Sequence, residues 1–160
     1  MTWFDAVAIL LVILVGWIES VRGFGRAIFD FVGALIAMRL SILVAPELAE
    51  SVPVFQSNAH AEAFWLATVF FVFIVLIVVA TKFIYQSTLL SLDVMDPLVG
   101  GVLGVSMGLM VAHIFLRVLL IAAKGTDFSN IVFNSFMGQE LIAFRTYHRV
   151  VEQLQNLGNW

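Results

Sequence analysis

The sequence predicts an all-α membrane protein: four transmembrane helices followed by a C-terminal amphipathic helix. Three observations carry that reading. Long apolar runs occupy 6–18, 27–45, 64–80 and 98–123, and about 20 apolar residues in helical rise cross the hydrocarbon core of a bilayer. Only 12% of the 160 residues are charged, about half the share of an ordinary soluble domain. The mean hydropathy is +1.05. Helices on this pattern bury their backbone hydrogen bonds internally, as lipid requires.

The first span covers about 3–18, with Asp5 and Glu19 marking its ends. No positive n-region of a secretory signal precedes it and no small-residue cleavage pattern follows, so it is expected to remain as a membrane anchor. A tight connection, 19–26, leads to the second span at about 27–45, which should end near Pro46. An acidic loop at 46–63 carries Glu47, Glu50 and Glu62, with Pro53 as a second break. The third span, about 64–85, has Phe64 and Trp65 at one end and Lys82 and Tyr85 at the other, the anchors of a membrane–water interface. It is apolar all round and should be the most lipid-exposed helix.

After a polar linker at 86–95, Asp96 as N-cap and Pro97 at the first helical position open the fourth span, about 98–123. Residues 1–124 therefore form the transmembrane domain and 125–160 an amphipathic tail. In that tail Phe144, Tyr147, Val151 and Leu154 recur at helical spacing, opposite Arg145, Arg149 and Glu152. Such a helix lies in the interface, docks on the bundle or binds a partner. Arg22, Arg26 and Lys82 flank the first and third connections, so the positive-inside rule puts those connections in the cytoplasm and both termini outside.

Polar residues inside spans are the candidates for function, because each costs energy where it sits. Arg39 and Arg117 stand about six residues from the ends of their spans, close enough to snorkel. On the fourth span Ser106, His113, Arg117 and Lys124 share one stripe. Gly100, Gly104 and Gly108 form another, roughly opposite, whose spacing of four suits close helix packing. The polar stripe can line a wet cavity, pair with an acid on another helix, or meet a second subunit. Asp30 lies four residues after Arg26, the spacing of a helical ion pair. With no acid in the middle of a span, a small proton-coupled antiporter is disfavoured.

Enzymatic chemistry is not expected. The chain has no cysteine, and His60, His113 and His148 are scattered without metal-ligand spacing. Neither a phosphate-binding glycine loop nor a nucleophile elbow is present. No cofactor is expected, and without a basic cluster no nucleic acid partner.

Two motifs bring a family to mind. The basic turn Arg22-Gly23-Phe24-Gly25-Arg26, after Trp3-x-Asp5 and Gly16, resembles the start of the colicin V production (CvpA) family. Met95-Asp96-Pro97-Leu98-Val99-Gly100 with Gly104 and Gly108 looks like that family's fourth-helix opening, though Pro97 stands where the family usually has Arg. The resemblance implies a bacterial inner-membrane protein associated with production or export of a small secreted toxin. It also implies a likeness to small transporters or channel-like modules. With the polar residues of the spans, the expectation is an oligomeric channel or small-solute transport module that has Arg39, His113 and Arg117 near a polar pathway. The alternative is an accessory scaffold in envelope stress tolerance. The partners implied are the lipid bilayer, further copies of the chain, and toxin-export or envelope-stress proteins.

Overall fold

The computed structural model describes residues 2–88, 95–124 and 126–143. They form six helices: α1 (Trp3–Arg22), α2 (Phe24–Ser51), α3 (Asn58–Thr88), α4 (Asp96–Ala122), α5 (Asp127–Phe133) and α6 (Phe136–Ala143). The first four are long and apolar enough to cross a membrane, so the chain has an all-α, multi-pass membrane fold. α1 packs chiefly on α4 and α2 chiefly on α3, while α2 and α4 meet in the centre.

Thr2 caps α1. Its hydroxyl accepts the Asp5 N–H, and the Asp5 carboxylate accepts the Thr2 N–H at 2.7 Å, a reciprocal capping box. The connection to α2 is shorter than the eight residues expected. It is one glycine, Gly23, at φ +81°. A side chain there would be strained and would also run into the Asp96 carboxylate, 2.6 Å from the site of a Cβ.

The second helix does not stop near Pro46 but runs to Ser51. Pro46 removes one helical N–H, yet Ala27, Asp30, Ala34, Ala37, Ser41, Ala45 and Ala49 form one continuous buried face on both sides of it. Packing of that face outweighs the lost bond. The acidic loop shrinks accordingly to 52–57, and α3 begins at Asn58. Phe55, Phe64 and Trp65 cluster edge-to-face at this end, and Trp65 Nε1–H donates to the Val52 carbonyl at 3.1 Å. Within its apolar window α3 is 17% buried, against 28% for each of the other spans. It is the helix most open to lipid, as its uniform apolarity suggests.

Asp96 is not the N-cap of α4. Met95 holds that position, and the Asp96 carboxylate instead accepts the Phe24 N–H of α2 at 3.0 Å. One acid thereby satisfies an orphan donor of a different helix.

Two apolar clusters form the core. Phe4, Ala8, Ala112 and Leu116 join Val132, Met137 and Leu141 from α5 and α6. Ala37, Ala45, Leu66, Phe70 and Ile114 fill the space between α2, α3 and α4. The start of the tail is thus part of the packed bundle. The amphipathic segment expected around 144–154 lies outside the described residues.

Candidate functional site

At the Gly23 end of the bundle, three ionisable side chains converge. Arg22 Nη1 lies 2.9 Å from Glu19 Oε1 and 3.2 Å from Asp30 Oδ2. The Glu19 and Asp30 side chains are each 2% exposed, and the Arg22 side chain is 32% exposed. The ion pair expected within α2, Arg26 to Asp30, gives way to this one across the turn. A one-residue connection folds the end of α1 back over the first turns of α2, so Arg22 reaches Asp30 from the neighbouring helix. Glu19 Oε2 and Asp30 Oδ1 are buried, and neither accepts a hydrogen bond from an N–H or hydroxyl of the described residues. Next to them a cavity of about 90 Å³ is lined by Arg22, Arg26, Asp30, Val78, Thr81 and Lys82.

Glu19 is the member of this cluster that the sequence reading set aside. It reads as the marker of a span end. Asp5, Gly16 and Glu19 share one side of α1, a face evident in the sequence but discounted there because both acids are terminal. In the structure all three are buried, Gly16 and Glu19 beside α4 and Asp5 beside α6. The glycine stripe explains why. A Cβ on Gly104 would lie 2.6 Å from Glu19 Cβ and 2.9 Å from Gly16 Cα; one on Gly108 would lie 2.7 Å from Val12 Cα; one on Gly100 would lie 2.7 Å from the Glu19 carbonyl. These three glycines are where α1 and α4 touch backbone to backbone.

Among the described residues the other polar candidates do not assemble into one pathway within the chain. Asp30 belongs to the ion-pair cluster. Ser106 Oγ donates to the Val102 carbonyl of its own helix at 3.1 Å. His113 is half-buried beneath the tail, with Nδ1 3.0 Å from the Leu141 carbonyl; a carbonyl only accepts, so Nδ1 carries the proton. Asp5 makes the matching contact on α1, accepting the Met137 N–H at 2.8 Å. His113 and Asp5 therefore hold α6 on the bundle. Arg117 is exposed and borders a groove of about 400 Å³ that includes Pro46 and Glu62. Arg39 is exposed and makes no hydrogen bond or ion pair with any described residue.

The tail contacts have a direct consequence. Asp5→Ala leaves the buried Met137 N–H without an acceptor, at a cost of about 1–3 kcal/mol. Amide hydrogen exchange around Met137–Leu141 should accelerate by about tenfold or more, with α3 unaffected; unchanged exchange there would show that Asp5 does not hold the tail.

Among the described residues no three His, Asp or Glu side chains could hold a metal ion. Fold and polar sites together define a four-helix multi-pass membrane protein with a buried charge cluster at one end and a docked tail at the other. Comparison with protein-family models, characterised proteins and solved structures finds no significant match.

Proposed function

We propose that this chain is the protomer of an oligomeric channel or small-solute transport module in a bacterial inner membrane. The observation that carries the reading is Arg39. Because α2 continues past Pro46, Arg39 is near the middle of a helix of 28 residues, about 42 Å long against a hydrocarbon core of about 30 Å. It is deeper than its sequence position suggests, and its side chain points outward. An Arg facing lipid at that depth is unfavourable by about 2.5–3.5 kcal/mol on insertion scales. A second copy of the chain removes that cost by placing Arg39 beside protein and water.

The small-residue face of α2 closes the inside of the protomer, so a polar path runs between copies. A ring of Arg39 side chains favours anions over cations. Short-loop charges support an orientation with Arg22, Arg26 and Lys82 in the cytoplasm and both termini in the periplasm. The likeness of the Arg22–Arg26 turn and the 95–108 segment to the colicin V production family supports a connection with release of a small secreted toxin.

Purified protein in liposomes is expected to pass small anions, and Arg39→Ala to lower that flux by about tenfold or more while Arg39→Lys retains most of it. Wild-type liposomes that stay tight would sink the transport reading. The close packing inside the protomer favours, in that event, an accessory scaffold whose partner is captured by crosslinking at the Gly23 turn.

A further inference from the structure

Two buried acids share one guanidinium at the Gly23 turn. Glu19 and Asp30 are each 2% exposed, and both accept from the same nitrogen, Arg22 Nη1. Their carboxyl groups are also in hydrogen-bond contact with each other. An ionised carboxylate only accepts, so two of them cannot make that bond. The remaining oxygens carry the same demand independently. Glu19 Oε2 and Asp30 Oδ1 are buried and receive no N–H or hydroxyl of the described residues, which is costly until a donor arrives. A ligand cannot deliver one to atoms so enclosed, whereas a proton can. The surrounding charges divide. Arg26 of α2, already engaged in an interaction, and the exposed Lys82 of α3 favour two ionised acids. Asp96 of α4, whose carboxylate accepts the Phe24 N–H, favours a protonated pair. The direct contact between the acids outweighs these, since solvent screens Lys82.

We infer that Glu19 and Asp30 form a proton-binding site, sharing one proton between their carboxyl groups. The cluster is then one guanidinium, one carboxylate and one carboxylic acid, with no net charge. Like charges in hydrogen-bond contact at a dry site do not both ionise, and the proton belongs to the pair rather than to either residue. Its source is the cavity of about 90 Å³ that Asp30 lines, the share of about three waters. A hydronium there gives up its proton to the pair and remains as water. The site works as a pH-sensitive latch. The shared proton ties the end of α1 to the start of α2, and its loss leaves two anions on one guanidinium, which loosens the Gly23 turn. The folded pair keeps a proton that the same groups release in the unfolded chain. Its contribution to stability is therefore greatest at low pH and is lost as pH rises to the point where both acids ionise. The inference is independent of whether the protein transports anything.

The test is infrared difference spectroscopy of the full chain in liposomes, in light and heavy water. Ordinary carboxyls are ionised at neutral pH. The wild type should nevertheless show there the carbonyl stretch of a protonated carboxyl, shifted in heavy water and abolished in alkali. Glu19→Gln and Asp30→Asn should each remove that band, because the single acid left has Arg22 to itself. Both amides keep side-chain size and supply a donor to the remaining acid, and the wild-type spectrum depends on neither. A second readout is stability in detergent. The folding constant of the wild type relative to Glu19→Gln should fall by up to about tenfold per pH unit while the folded pair still holds its proton. A wild type without the band at neutral pH, a band that survives both substitutions, or the same pH dependence of stability in wild type and Glu19→Gln overturns the proposal.

Discussion

Gly104→Leu should drive α1 away from α4 and destabilise the protein by at least the upper part of the about 1–3 kcal/mol range for overpacked sites. The reason is what the new side chain meets. At 2.6–3.0 Å from the position of a Cβ stand Glu19 Cβ, Gly16 Cα and the Val15 carbonyl, and two of those are backbone atoms that no rotamer change can move. The expected readouts are a lower thermal midpoint in detergent and loss of an α1–α4 cross-link. The chain has no cysteine, so a pair can be introduced without interference. Ser20 and Gly101 suit this, because a Cβ on Gly101 lies 3.5 Å from Ser20 Cβ, within the disulfide range. Oxidised Ser20→Cys/Gly101→Cys should close efficiently, and adding Gly104→Leu should suppress closure. Val102→Leu serves as the control, since Val102 is 61% exposed. Equal cross-linking with and without Gly104→Leu would show that the two backbones do not meet there.

Arg22→Ala is the second large effect. Removing one partner of a buried ion pair costs about 3–5 kcal/mol, because the charge left behind has lost both water and its counterion. Here two carboxylates are left, Glu19 and Asp30, each 2% exposed. Partial exposure of Arg22 itself and the nearness of Arg26 and Lys82 hold the loss to the lower part of that range. The decisive comparison is the triple variant Arg22→Ala/Glu19→Gln/Asp30→Asn. Neutral amides need no counterion and can hydrogen-bond to one another, so the triple variant should recover more than half of what Arg22→Ala loses. A triple variant as unstable as the single one would mean that Arg22 acts through packing rather than charge.

The four spans and the glycine face of α4 were legible because each depends on residues near one another in the chain; that α1 is the partner of that face was not. Apolar run length reports the thickness of lipid to be crossed, and spacing of four reports a helix face. The charge cluster was half legible. Asp30 stood out as an acid near a span, but its partner was sought one turn away on its own helix, where i,i+4 geometry puts it. Only the single-residue turn at Gly23 brings Arg22 across. His113 looked like a pathway residue because its stripe is polar; in the folded chain the α6 carbonyl of Leu141 covers it. Arg39 was read as about six residues from the end of its span, since Pro46 reads locally as a helix end, whereas the helix continues to Ser51.

The sequence by itself determined that the chain crosses a membrane four times, that α3 is the helix most open to lipid, and that Gly100, Gly104 and Gly108 form one close-packing face. Apolarity and helical period are properties of a segment, and they act wherever that segment ends up. The tertiary structure decided which charges neutralise one another, that Asp96 caps α2 rather than α4, that α2 persists through Pro46, and that Asp5 and His113 fasten the tail. Each of those outcomes pairs groups on different helices. Their energies depend on distance and burial, which exist only once the helices have packed.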